Sequence, residues 1–152
     1  MIPNALIAAC HFIAAFTLAG ALVAESMLLR GRVDGPVIGR LLRADLIYGL
    51  SAIAVLAFGL CRAFFFEKPV VFYLYSAPFW VKLGLFAIIG LLSIAPTLAF
   101  FRARNAARID PDYGMAPNQV AKLRHRVALE LALLLAMLPA ASLMAKGIGW
   151  LG

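Results

Sequence analysis

With 152 residues, of which 64% are hydrophobic and only 14% charged, and a mean hydropathy of +0.96, the chain is far from the mix of a soluble domain of its size. An integral membrane protein is the class that remains. The net charge of +7 does not point to nucleic acid, because the basic residues stand at helix ends rather than as a stripe on a polar fold.

A bilayer core needs about 20 apolar residues per helical crossing, and four stretches qualify: 4–29, 38–61, 79–101 and 120–146. No polar block is long enough for a second domain. The expected fold is therefore all-α, one four-helix transmembrane bundle over residues 1–152.

The first stretch contains HFIAAFTLAGALVAESMLLR at 11–30. It has no Lys or Arg before residue 30, and its apolar run is longer than that of a secretory signal, so it is expected to remain as a helix. Positive charges follow it at Arg30, Arg32, Arg40 and Arg43, which places the N-terminus outside the cytoplasm. The turn-forming DGP at 34–36 opens the second helix, SAP at 76–78 the third and MAPN at 115–118 the fourth, from about residue 118. In each, a proline stands where a helix can begin without losing a needed N–H. The connection RAFFFEKPVVFYLYSAPFW at 62–80 is dense in aromatics, and reads as an interfacial belt or as a lid over an outward-facing pocket. Pro96 and Pro139 fall inside the third and fourth helices, where kinks are expected and Ser93 and Ser142 are placed to satisfy the freed carbonyls. Ala15, Ala19, Gly20, Gly49, Gly59 and Gly90 would let helices approach closely, within one chain or in a homo-oligomer.

Grouped by flank, the 14 Lys and Arg fall ten on one side (Arg30, Arg32, Arg40, Arg43, Arg102, Arg104, Arg108, Lys122, Arg124, Arg126) and four on the other (Arg62, Lys68, Lys82, Lys146). Both termini should then lie outside the cytoplasm, in a multi-pass protein with the lipid bilayer as its partner.

An ionisable group at membrane depth costs on the order of 3 kcal/mol unless it is paired or hydrated, so each is a functional candidate. Two layers emerge. His11, Lys82 and Arg62, with Lys146 beyond them, form a basic outer layer. Glu25, Asp45 and Glu130 form an inner acidic one near Arg30, Arg43, Arg124 and Arg126. Pairing that fastens helix ends is the expectation for the inner layer, with a proton relay as the alternative. Positions 14 apart return to nearly one helical face, which links His11 with Glu25, Asp45 with Gly59 and Glu130 with Met144.

A basic outer pocket holding a histidine suits haem b or a porphyrin: a neutral imidazole ligates iron while Arg or Lys pairs with the propionates. His11 is then the metal ligand, with Met137 or Met144 as a second axial candidate. A hydrogen-bonded interior histidine is the competing reading. His125 stands in the basic flank and is expected to be solvated. Cys10 and Cys61, near the outer ends of their helices, are expected as free thiols, although a disulfide is conceivable on an oxidising face. No CxxC, Walker, HExxH or GxSxG pattern occurs, which argues against most soluble-type enzyme chemistries.

The set HFIAAFTLAGALVAESMLLR, RADLIYGL, FFFEKP, FWVKLGLF, LLSIAPTLAFFR and LELALLLAMLPAASLMAKGIG closely resembles a family of short bacterial membrane proteins known as domain of unknown function 2214. More distantly, the layout looks like the four-helix membrane protoporphyrinogen oxidases, with His11, Arg30, Trp80 and Lys82 in WVK, and Glu130 at comparable places. That likeness implies haem-associated oxidation of a porphyrinogen, with His11 as ligand and Trp80 and Lys82 at the substrate or propionates. The WVK spacing is one residue shorter than in that family. Besides a haem- or porphyrin-binding redox protein, the residues leave open a non-enzymatic assembly or partner subunit, and small-solute or proton translocation by an oligomer. They do not decide whether the protein is an enzyme.

Overall fold

The computed structural model describes residues 2–66, 69–146 and 148–149; Lys68 lies outside them. Helix α1 spans Ile2–Leu28, α2 Gly35–Cys61, α3 Val70–Leu74, α4 Ala77–Ile109 and α5 Pro117–Ala145, and a π-helical turn at Arg62–Phe66 extends α2. Four of these helices are long and apolar enough to cross a membrane. Among the described residues there is no β-strand, only an isolated bridge between Asp34 and Gly114.

The helix starts follow local chemistry. Asp34 caps α2 by accepting a hydrogen bond from the Val37 N–H at 3.3 Å, and Pro36, Pro78 and Pro117 occupy first-turn positions whose N–H would have no helical partner. The largest departure from the expected boundaries is in α4, which continues past residue 101 to Ile109. The apolar run ends where lipid ends, but Arg102–Arg108 is rich in Ala and Arg, good helix formers that need no burial.

Helix α1 packs chiefly along α2, and α4 along α5; the two hairpins meet through α2 with α4 and α1 with α5. Leu18, Leu22, Ile38, Leu41, Phe100 and Val127 are sealed at the centre. At most 28% of any spanning window is buried, so most of each apolar surface faces outward, as it must when the surroundings are hydrocarbon.

Consecutive spans run antiparallel, so the structure has a terminal end, near both ends of the chain, and an arginine-rich end. The loops at the arginine-rich end are stitched by the Met115 N–H donating to the Val33 carbonyl at 2.9 Å. Val33 and Met115 carry the core into those loops. At the terminal end, the Asn4 amide donates to the Phe66 carbonyl at 3.2 Å and the Ala77 N–H donates to the Gly149 carbonyl at 3.0 Å. Gly149 has φ +85°, and a Cβ there would stand 2.9 Å from Pro78 Cδ. Replacing Gly149 with alanine is therefore expected to release this clip, at a cost of about 1–2 kcal/mol confined to the chain end. Faster amide exchange at Ala77 with the rest of the bundle unchanged would show it; unaltered exchange would contradict it.

Two expectations about small and hydroxyl residues need correction. Among the helix glycines named above, only Gly59 meets a neighbour; Gly20, Gly49 and Gly90 have nothing within 4 Å of a would-be Cβ. Ser93 does not serve the carbonyl freed by Pro96, because its hydroxyl donates to the Gly90 carbonyl at 2.8 Å; Ser142 is exposed.

Candidate functional site

At the terminal end, the spanning helices enclose a cavity of about 540 Å³, within the ~300–1,000 Å³ usual for small-molecule sites. His11 comes to it from α1, Arg62 from the end of α2, Lys82 from α4, and Met137 and Met144 from α5. The rest of the lining is mainly apolar. Tyr73, sealed in α3, Phe72 beside it, and Phe79 at the start of α4 close one side. Tyr73 packs edge-on to both neighbours, with ring centroids 5.6 Å from Phe72 and 5.5 Å from Phe79. The aromatic connection thus divides: these three rings line the cavity, while Phe65 and Tyr75 are exposed.

His11 is buried and fixed. Its Nδ1 lies 3.1 Å from the Val55 carbonyl, and since a carbonyl only accepts, Nδ1 is the donor in that bond. The ring sits against Gly59, where a Cβ would come within 3.2 Å of His11 Cε1. The absent side chain of Gly59 is what admits the imidazole between the two helices. Arg62 places its guanidinium carbon 5.4 Å from the Phe12 ring centroid, a cation–π contact that holds the cation at the rim.

Trp80 does not join this group. It is exposed, and its indole N–H donates to the Leu74 carbonyl at 3.0 Å, so it braces the α3–α4 connection. Cys10 is exposed and Cys61 half-buried, both as free thiols. His125 is exposed, in keeping with a solvated role.

A second polar region lies toward the arginine-rich end, where Glu25, Asp45 and Glu130 are all buried. The pairing expected for them is not formed: Arg30, Arg43, Arg124 and Arg126 are exposed, and Glu25 Oε1 and Glu130 Oε1 are buried without a hydrogen-bond partner among the described residues. Long basic side chains at a membrane face gain more by reaching water and headgroups than by turning inward. The donors are hydroxyls instead. Thr97 donates to Asp45 Oδ1 at 2.7 Å, and the Tyr48 hydroxyl is within hydrogen-bonding reach of the Glu130 carboxyl and of Ser93.

One face of α2 runs between the two regions, through Asp45, Tyr48, Ser51, Val55, Gly59 and Arg62, at three- and four-residue intervals. The faces linked by 14-residue spacing do turn inward: His11 and Glu25 are both buried, Gly59 and Met144 line the cavity, and Asp45 and Glu130 lie in the acidic region. Tyr48 and Thr97 escaped the sequence reading. Tyr48 stands three residues after Asp45, a usable signal, whereas nothing in the local sequence brings Thr97 to Asp45 across 52 positions.

No curated protein and no solved structure matches the chain at a significant level, so the resemblance to the membrane protoporphyrinogen oxidases gains no support from either. The family model described as "Predicted membrane protein (DUF2214)" matches residues 3–149, and the chain belongs to that family of membrane proteins.

Proposed function

We propose that the cavity at the terminal end binds haem b or a related porphyrin carboxylate, making the protein a haem- or porphyrin-binding redox component of the bacterial inner membrane. In this reading both termini and the cavity face away from the cytoplasm, because ten basic residues crowd the opposite end. One observation carries it: His11, Arg62 and Lys82, from three different spans, meet with Met137 and Met144 on a single, largely apolar cavity.

The chemistry suits that ligand. Bound haem supplies one-electron redox chemistry. His11 donates from Nδ1 to the Val55 carbonyl, and that hydrogen bond would orient the ring and raise the basicity of a ligating Nε2. Arg62 and Lys82 offer cations to propionates, Phe72, Tyr73 and Phe79 offer faces to a flat ring, and the methionines offer a thioether.

The test is an absorption spectrum of detergent-purified protein, with and without added haem. A Soret band that His11→Ala removes, and that Arg62→Ala and Lys82→Ala weaken, is the expected result. Retention of iron-free porphyrin by the His11→Ala protein would instead mark the ring as substrate rather than ligated cofactor. A preparation that takes up neither haem nor porphyrin would overturn the reading.

A further inference from the structure

The acidic region near the arginine-rich end is independent of the cavity. Glu25 is 2% exposed, Asp45 9% and Glu130 1%, and they converge from α1, α2 and α5. On or beside each span an exposed arginine marks where polar surroundings begin: Arg30, Arg43, Arg102 and Arg126. Glu25, Asp45, Thr97 and Glu130 lie two to five residues inward of these positions, or up to about 8 Å of helical rise. Three ionised carboxylates cannot share such a place without compensation, since each loses hydration and each repels the other two.

Among the described residues no cation compensates them. The charged groups acting on Glu25 are Asp45 from α2 and Glu130 from α5. Tyr48 from α2 and Ser93 and Thr97 from α4 add only neutral hydroxyls. Arg30, Arg40, Arg43, Arg124 and Arg126 are exposed. Among the described residues, no group of three His, Cys, Asp or Glu side chains has the arrangement of a metal site. The remaining way to neutralise buried carboxylates is to protonate them.

We propose that Glu25, Asp45 and Glu130 form a buried proton-binding site in which Glu25 is held as a neutral carboxylic acid at neutral pH. The hydroxyls decide the distribution. Asp45 accepts from Thr97 at 2.7 Å and Glu130 has the Tyr48 hydroxyl, donors that favour the charged form of each. Among the described residues Glu25 Oε1 and Glu130 Oε1 are both buried without a hydrogen-bond partner, but Glu25 alone of the three acids has no hydroxyl beside it. An ionised carboxylate there could only accept, with acids for neighbours; a protonated one has an O–H to give to them.

The test is infrared spectroscopy of the full-length protein in lipid nanodiscs, without added haem, so that its outcome does not depend on what the cavity binds. The expected spectrum at neutral pH shows the carbonyl stretch of a protonated carboxyl group, downshifted in D₂O and diminished in Glu25→Gln. Because glutamine imitates the neutral acid, Glu25→Gln is expected to keep the thermal midpoint of the parent. Should that variant fail to fold, the band and its D₂O shift in the parent protein and in Glu130→Gln still decide. Absence of any protonated-carboxyl band in the parent at neutral pH would refute the proposal. So would a saturable rise in thermal midpoint with Na⁺ or K⁺ that Glu25→Gln lacks, which would make the site one for a metal cation.

Discussion

Gly59→Val is expected to destabilise the α1–α2 hairpin by about 1–3 kcal/mol, the usual cost of forcing extra methyl groups into a packed contact, and, on the proposal that the cavity binds haem or porphyrin, to lower that retention by about tenfold or more. The reason is local. A Cβ at position 59 already stands 3.2 Å from His11 Cε1 and 3.5 Å from its Nδ1, so alanine requires His11 to yield by a few tenths of an ångström. Valine adds two further carbons beyond that point and cannot be admitted while Nδ1 stays on the Val55 carbonyl at 3.1 Å. His11 must then leave its anchor, losing a hydrogen bond worth about 0.5–1.5 kcal/mol and the orientation that ligation needs. Ligand titration and thermal unfolding of Gly59→Ala and Gly59→Val together check this. The effect should grow from alanine to valine. A valine variant with the parent's affinity and midpoint would show that the helices can part here freely, and that the glycine is not what seats the imidazole.

Thr97→Val is expected to destabilise the protein by roughly 1–3 kcal/mol, the cost of leaving a buried acceptor without its donor. Valine keeps the shape of threonine and removes only the donor at 2.7 Å from Asp45 Oδ1, leaving that carboxyl in a region whose other charged groups are acids. Thr97→Ser should restore most of the loss. Combining Thr97→Val with Asp45→Asn should cost less than the sum of the two single changes, since both act on the one Thr97–Asp45 hydrogen bond. Thermal or denaturant unfolding in detergent measures all four proteins. Strict additivity would mean that the two side chains do not depend on one another.

Both substitutions act through contacts between spans, and this marks the boundary of what could be read from residue order. The existence of four crossings followed from apolar stretches alone, because a bilayer imposes a minimum length and demands that backbone polar groups be satisfied within each helix. DGP, SAP and MAPN placed three helix starts for an equally local reason. The inward faces of α1, α2 and α5 were also legible, since the 14-residue spacing of His11 with Glu25, Asp45 with Gly59 and Glu130 with Met144 is a property of one helix at a time. The continuation of α4 to Ile109 was hidden because hydropathy reports the environment of a segment and not its backbone conformation.

Partner choice was a different matter. The sequence suggested that Glu25, Asp45 and Glu130 would pair with arginines close by in the chain, and the folded protein turns those arginines outward and meets two of the three acids with hydroxyls. Trp80, two residues from Lys82, is exposed and does not line the cavity that Lys82 lines. By itself the amino-acid order determined how many times the chain crosses the membrane, which residues turn inward on α1, α2 and α5, and that its scarce ionisable groups form a basic and an acidic layer. Only the tertiary structure decided that His11 seats against Gly59 and the Val55 carbonyl, that Arg62 and Lys82 share its cavity, and that Thr97 rather than arginine serves Asp45. Helical periodicity is local and repeats every few residues, whereas these contacts depend on how four separate helices rotate and slide against one another, which no single segment encodes.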